Sequence, residues 1–425
     1  MDRLFHLKDL LYFIIVSALL IFSVKMFQST PFEDFFFRIH AVFLIISLIF
    51  VGLYTANNIN KNRKINSNIK YFLLLMLLGP FYSAMMAHIE FDQPILYGLL
   101  SQRGWAVIGA ALFLYYAIST KDNILKIVEL SFVILAWSSL FYFSYLYLTF
   151  DIESVDAESN FAKLTESRGL RLKLNEYFIT FGILFYFIKF YSSKSVKYFI
   201  YFAIFASYVI FLFQGRTYII QLIIVMSIYL YRSGNLSTFI IRMISIALTL
   251  TGLILFLYFF APDFVSRFYD IFLQMFIVLG GSESLDSSSN ARIYQSAIVF
   301  DYFALNPDSI WWGVGKLSHQ WNDGYQSIFG YFFPSDIGLL GGLFQFGVLG
   351  MIFVWLIPVI LSIKLIKSVE VTGISIFIIT FQYLLVYYMI KSINTGNYVF
   401  FIYEYILVFF ILLGSKFSQT DKKCC

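Results

Sequence analysis

The chain contains very little cysteine and very little charge. Its two cysteines, Cys424 and Cys425, are adjacent, so they provide neither a disulfide framework nor a Cys/His metal pattern. Charged residues are 13% of the 425 residues, whereas soluble domains carry about 25%. These shortages exclude a soluble enzyme that is held to a membrane by a single anchor.

Long apolar segments fill most of the sequence instead. Apolar residues make up 60% of the chain, which has 52 Phe and 31 Tyr. A bilayer-crossing helix needs about 20 apolar residues, so the pattern predicts an all-α polytopic membrane protein with about 12 transmembrane helices and one large loop. The first segment is expected to be a retained span and not a cleaved signal peptide. The predicted spans are residues 9–27, 39–56, 71–89, 104–119, 124–150, 174–190, 198–213, 217–231, 238–261, 337–363, 371–390 and 397–415.

Lysine and arginine near the span ends predict the orientation. Basic residues gather on one set of connections and acidic residues on the other, which places both termini in the cytoplasm. The chain then divides into residues 1–261, with helices 1–9 and an outer loop at 151–173, residues 262–336, a large outer loop, and residues 337–425, with helices 10–12 and a cytoplasmic tail.

Several arginines fall on the outer side, where positive charge is least expected. Charge held near a membrane commonly marks a substrate path, and guanidinium groups bind phosphate or diphosphate in bidentate fashion. The alternative is that these arginines pair with nearby Asp and Glu residues. The outer arginines are Arg38, Arg103, Arg168, Arg171, Arg216, Arg267 and Arg292.

Two of these arginines lie in recognisable motifs. Arg216 follows Gly215 in Gln214-Gly215-Arg216-Thr217, where glycine permits a tight turn or the close approach of a ligand; otherwise Arg216 extends to lipid headgroups. Arg292 stands at the expected start of an amphipathic helix, and a helix N-terminus favours an anion. The alternative for Arg292 is a surface helix capped by Asn290.

A third motif, residues 335–350, begins with Ser335-Asp336 and ends with Gly347-Val348-Leu349-Gly350. Its glycines allow close helix packing, and Asp336 lies where the loop enters the membrane. Together with Arg216, with Arg292 and with the downstream Asn306-Pro307 and Gly313-Val314-Gly315, this motif resembles the O-antigen polymerase and ligase superfamily. Arg171 followed by Gly182 adds a spacing similar to one seen in some Wzy-type polymerases.

The resemblance implies a GT-C-like, metal-independent glycosyltransferase of the bacterial inner membrane, with no cofactor and with the large loop in the periplasm. It would join oligosaccharide repeats carried on undecaprenyl diphosphate, for O-antigen (lipopolysaccharide) or a related surface polysaccharide. A chain-length-regulating protein is an expected partner, and nucleic acid is not. Relatives of the ligase type carry a His near the position of Asp336. The departure here favours a polymerase, with Asp336 as the first choice of proton acceptor and His319 as the second.

The resemblance also implies roles for further residues. Arg216 and Arg292 would hold the diphosphate, assisted by Arg168 or Arg171, and Arg267 would contact the substrate. Tyr294, Trp312 and Tyr325 would offer flat faces to sugars, although aromatic side chains in such a loop also form interfacial belts. Two other functions stay open, an O-antigen ligase that transfers glycan to lipid A-core, and a flippase or other transporter for lipid-linked oligosaccharide.

Overall fold

The computed structural model describes most of the chain in a few long stretches. These are residues 7–61, 65–121, 123–149, 162–165, 169–172, 174–234, 237–242, 287–369 and 375–423, with scattered positions between 244 and 269. The two predicted site residues Arg168 and Arg267, and most of the predicted span 238–261, lie outside the described residues.

Helices account for nearly all the described secondary structure. The long helices are α1 (Leu7–Ser23), α2 (Glu33–Asn60), α3 (Ser67–Phe91), α5 (Val107–Thr120), α6 (Ile124–Thr149), α7 (Tyr177–Ser193), α8 (Val196–Ser207), α9 (Arg216–Arg232), α10 (Ser287–Leu305), α13 (Gly338–Met351), α14 (Ile357–Ser368), α15 (Ile376–Thr395) and α17 (Ile402–Lys423). The short helices are α4 (Ile95–Ser101), α11 (Ser309–Trp312), α12 (Gln326–Phe329) and α16 (Asn397–Phe400). A two-stranded antiparallel hairpin, β1 (Ala162–Thr165) and β2 (Gly169–Leu172), is the exception to the all-α pattern within the described part.

The lengths and apolar composition of these helices indicate a membrane protein. Six helices of the described part are long and apolar enough to cross a bilayer, and up to seven if α4 and the helical stretch Arg103–Thr120, bent by 52°, form one span. α7 is shorter but also apolar. The coarse fold prediction is confirmed in this respect.

The chain forms two compact units, each with its own packing. The first comprises Met1–Ser139, Leu174–Gly182 and Tyr294–Cys425, and the second comprises Leu140–Lys173 and Ile183–Ile293. Residues 402–415 of α17 are all buried in the first unit, where the ring of Phe72 lies 4.8 Å from that of Phe409. A helix that is apolar all round is stable where neighbouring helices cover every side, and α17 therefore forms the core of this unit.

Within the second unit, α9 begins at a sharp turn. Gln214 adopts a left-handed conformation with φ of 50° and ends a wide helical turn over Tyr208–Phe213. Gly215 precedes α9, and Arg216 is its first residue. Arg216 is only 9% exposed, so its side chain is buried at the start of α9.

Candidate functional site

A glycine-lined loop inserts between α3 and α13 and creates the site. The backbone of α13 is broken at Gly347, with φ of 63° and ψ of 179°. The carbonyl groups of Phe344 and Gln345 accept hydrogen bonds of 2.9 Å from the amides of Val314 and Gly315. Buried backbone groups at such a break must be paired, and the loop supplies the donors.

Glycine is required on both sides of this contact. A Cβ atom on Gly313 would lie 2.4 Å from the Gly347 nitrogen, and one on Gly315 would lie 2.1 Å from the Ser83 carbonyl oxygen. Ser83 lies eight residues before the C-terminal end of α3. The loop therefore contacts this helix about 12 Å from that end, measured along the helix axis. The Gly-Val-Gly and Gly-x-x-Gly segments therefore place the following residue, Lys316, deep between helices.

A clamp of side-chain hydrogen bonds holds the backbone of the loop. Gln93 donates through Nε2 to the Lys316 carbonyl at 3.1 Å and accepts through Oε1 from the Ser318 amide at 2.7 Å. The Lys316 amide donates to Ser83 Oγ at 3.0 Å. The hydroxyl of Tyr325 donates to the Gly315 carbonyl. These contacts fix the backbone of Lys316, so that only its side chain is free to change conformation.

Lys25, Arg103 and Lys316 line one cavity of about 370 Å³, here named the cationic cavity. It lies within the first unit, where the residues after α1, the start of α2, the turn after α4 and the start of α17 meet. Glu33 is the one carboxylate residue among its described lining, and it accepts a 3.0 Å hydrogen bond from the Ser29 amide. Three cations against one carboxylate make the cavity suited to an anion.

The three cations are held by neutral groups. Lys316 Nζ donates to the Ser101 carbonyl at 3.2 Å, Lys25 Nζ lies 5.6 Å from the ring centre of Tyr403, and the Arg103 guanidinium lies 4.8 Å from that of Phe37. Within the described part of the chain, no carboxylate pairs with any of the three. Their charges thus remain available to a ligand.

Burial and mutual repulsion change the protonation of this group. Burial, and then the charges of Lys25 and Arg103, lower the pKa of Lys316 to about 8. Burial and the charge of Arg103 also lower the pKa of Lys25, although Glu33 acts in the opposite direction. Burial and repulsion by the neighbouring cations both disfavour the charged ammonium. An anion that entered the cavity would offset these effects, because it attracts the ammonium.

An orphaned acceptor lies beside the cations. Gln102 lines the cavity and is 3% exposed, and its Nε2 donates to the carbonyls of Pro80 and Gly98 at 3.2 and 3.3 Å. Those two acceptors fix the amide orientation. Gln102 Oε1 has no hydrogen-bond partner among the described residues. A buried acceptor without a partner is costly.

The predicted site residues of the first unit have different surroundings. His319 lines the cationic cavity and is exposed. Asp336 is exposed in the short 3-10 turn Pro334–Ile337 and does not line the cavity. Tyr325 is 6% exposed within the apolar core of the loop, whereas Tyr294 and Trp312 are 56% and 51% exposed. The structure therefore brings His319, and not Asp336, to the cations.

Three of the arginines predicted as site residues, Arg171, Arg216 and Arg292, belong to the second unit. Arg292 is exposed in α10, which begins at Ser287. The expectation that Arg292 opens this helix is wrong, because the helix starts five residues earlier and Asn290 lies inside it. The backbone of Arg171 pairs with that of Lys163 in the hairpin. Arg216 is buried at the start of α9.

Sequence reasoning missed most of the cationic cavity. Arg103 stood among the outer arginines, but Lys25, Lys316 and Gln102 had no assigned role. Lys25 and Lys316 are far apart in sequence and meet only because the glycine-lined loop inserts between helices. The sequence feature that could have indicated this cavity is the lysine that directly follows Gly313-Val314-Gly315.

A buried charge cluster lies elsewhere in the first unit. Lys391 Nζ is 2.7 Å from Glu176 Oε1 and 3.0 Å from Glu404 Oε2. Each of the three side chains is at most 21% exposed. The rings of Tyr177 and Tyr388 stack beside them, with centres 5.8 Å apart. Intramembrane ionisable groups are costly and commonly functional, so this triad is a second candidate feature.

No family model, curated protein or solved structure matches this chain.

Proposed function

We propose that this protein is a surface-polysaccharide polymerase that joins lipid-diphosphate-linked oligosaccharide repeats. The observation that carries the proposal is the cationic cavity, in which Lys25, Arg103 and Lys316 face one space without a described carboxylate partner. A sugar carried on a polyprenyl diphosphate combines an anion, hydroxyl groups and an apolar tail. The cavity offers cations, and the apolar helices offer a surface for the tail.

The proposed reaction is a glycosyl transfer without a metal ion. A hydroxyl group of the acceptor sugar attacks the anomeric carbon of the donor, and the bond from that carbon to the diphosphate oxygen breaks. The cations stabilise the negative charge that develops on the leaving diphosphate. We assign the proton transfer to His319, because it lines the same cavity. Arg216 and Arg292 remain proposed diphosphate ligands, and Asp336 remains the alternative proton acceptor.

The proposed setting is the bacterial inner membrane, with about 12 spans and the loop that contains Lys316 in the periplasm. Undecaprenyl diphosphate is the proposed carrier, and a chain-length-regulating protein is a proposed partner. An O-antigen ligase would use the same chemistry with lipid A-core as acceptor.

A glycan gel of a strain that lacks this gene, beside its complemented parent, tests the proposal. Loss of the repeat ladder with a single repeat still on the lipid core supports a polymerase. Long chains that accumulate on the lipid carrier would indicate a ligase instead. An unchanged ladder would contradict both.

Transport is the second candidate function, and the triad of Glu176, Lys391 and Glu404 is the observation that favours it. Buried ion clusters between helices occur in proton relays and transporters. Here the triad would bind a coupling ion or proton. Accumulation of single lipid-linked repeats on the cytoplasmic side of the deletion strain would support transport and contradict the polymerase.

Substitution of the proton acceptor gives a sharper test. His319→Ala is expected to lower the rate of chain extension by at least about 100-fold, which is the usual contribution of a general base. Asp336→Asn is expected to retain most of the activity, because Asp336 does not line the cavity. The rate is measured with a synthetic lipid-diphosphate repeat and purified protein. An inactive Asp336→Asn beside an active His319→Ala would move the role to Asp336.

A further inference from the structure

We propose that an anion bound in the cationic cavity causes Lys316 to take up a proton, so that ligand binding and protonation of this residue are coupled. The inference rests on the anion site of the proposed function but not on glycosyl transfer. It assigns Lys316 as the residue that sets how strongly the site holds a multiply charged anion.

Hydrogen bonds hold the backbone of Lys316 on both sides of the residue. Its amide is bonded to Ser83 and its carbonyl to Gln93, and the next two peptide units are held by the same Gln93 side chain. Nζ donates to the Ser101 carbonyl at 3.2 Å. A lysine on a free loop would turn into water to keep its charge. Here the backbone is fixed and Nζ is held by the Ser101 carbonyl, so the half-buried ammonium lies in the same cavity as Lys25 and Arg103.

The neighbouring charges oppose the protonated form when the cavity holds no anion. The Lys316 amide donates to Ser83 of α3, and its carbonyl accepts from Gln93, which follows α3; both of these side chains are uncharged. The charges of Lys25 and Arg103 act on it, and the one lining carboxylate, Glu33, accepts a bond from Ser29. The charged and titratable side chains that share the cavity with Lys316 are Lys25, Glu33, His40, Arg103, His319 and Tyr403.

The sign of the coupling follows from these charges. The pKa of Lys316 is about 8, lowered by burial and then by Lys25 and Arg103. A bound anion attracts the ammonium and raises this pKa. Below about pH 8 the lysine is already charged and little proton uptake accompanies binding. Above that value Lys316 must take up a proton from the solvent when the anion binds, so affinity falls by up to about tenfold for each pH unit.

Calorimetry measures this coupling directly. Purified full-length protein in detergent is titrated with P1,P2-dimethyl diphosphate, whose two remaining acid groups stay ionised at neutral and alkaline pH. Each titration is repeated in two buffers with different ionisation enthalpies, at about pH 7 and about pH 9. The difference in heat between buffers gives the number of protons taken up. We expect uptake that rises from pH 7 to pH 9, with affinity at least about fivefold weaker at the higher pH.

Two arginine variants identify the responsible lysine. Arginine keeps its charge throughout this range, so Lys316→Arg should remove most of the proton uptake and of the pH dependence. Lys25→Arg should retain both, and it controls for the second lysine of the cavity. Persistence of the uptake in Lys316→Arg, or its loss in Lys25→Arg, would overturn the assignment to Lys316.

The outcomes separate this inference from the proposed function. Binding without proton uptake in the unsubstituted protein would overturn the inference and leave the polymerase proposal standing. Absence of binding at both pH values would overturn the anion site itself, and the inference with it. Proton-coupled binding in a protein whose deletion leaves the glycan ladder unchanged would support the inference and contradict the polymerase.

Discussion

Lys391→Met is expected to destabilise the protein by about 3–5 kcal/mol, because it leaves two buried carboxylates without their cation. Lys391 lies within 3.0 Å of both Glu176 and Glu404, and these three residues come from α15, from the segment before α7 and from α17. Removal of one partner from a buried pair costs far more than the pair contributes. In a thermal melt, we expect the unfolding midpoint to fall by more than about 5 °C.

Neutralisation of the whole triad is the matched control. The combined variant Glu176→Gln/Lys391→Met/Glu404→Gln removes the unpaired charges, and neutral replacement of a buried ion cluster is often close to neutral for stability. The unfolding midpoint of this combined variant should therefore lie close to that of the unsubstituted protein. Equal unfolding midpoints for Lys391→Met and the unsubstituted protein would mean that the triad is solvated and contributes little to stability. Intact polymer in the combined variant would argue against a transport role for the triad.

Gly315→Ala is expected to cost at least about 3 kcal/mol and to disrupt the cationic cavity. Gly315 has φ of 74°, which costs roughly 1–2 kcal/mol for a residue with a side chain. In addition, the new Cβ would lie 2.1 Å from the Ser83 carbonyl oxygen and 2.2 Å from the Ala87 nitrogen. These are backbone atoms that cannot turn away, so the loop must move and Lys316 with it. Both the melting midpoint and the affinity for the dimethyl diphosphate should fall.

Substitutions of two other glycines separate the cost of the backbone conformation from the cost of the close contacts. Gly330 has φ of 68° but has no atom within 4 Å of the Cβ position, so Gly330→Ala should show only the conformational cost. Gly104 has neither a positive φ nor a close neighbour, and Gly104→Ala should leave the melting midpoint nearly unchanged. If Gly315→Ala lowered the melting midpoint no more than Gly330→Ala does, the close contact between the loop and α3 would be contradicted.

Much of the helical fold follows from apolar periodicity alone. The predicted span 124–150 corresponds to α6, Ile124–Thr149, and the predicted span 71–89 lies inside α3, Ser67–Phe91. The predicted span 337–363 is helical but broken at Gly347. Periodicity cannot show this break, because it depends on amides supplied by the distant residues Val314 and Gly315.

The candidate site could be predicted much less well. The motif glycines pointed to close packing, and the structure shows them packed against a loop and not only against another helix. Lys25 and Lys316 meet through tertiary structure, which no local pattern encodes. The sequence favoured Asp336 over His319 as the proton acceptor, whereas His319 lines the cavity, because the fold of the loop decides which of the two approaches the cations. The position of Arg292 was misjudged because polar serines start α10 before the apolar pattern does.

The most direct test of the central claim is the glycan ladder of a deletion strain that carries the Lys25→Gln/Arg103→Gln variant. Its control is Lys364→Gln/Lys367→Gln, which removes two exposed charges from α14. Immunoblots establish equal amounts of both proteins in the membrane. If the cationic cavity holds the diphosphate of the donor, the first strain makes only single repeats and the control makes the full ladder. A full ladder from the Lys25→Gln/Arg103→Gln strain would contradict the claim that this cavity is the site of polymerisation.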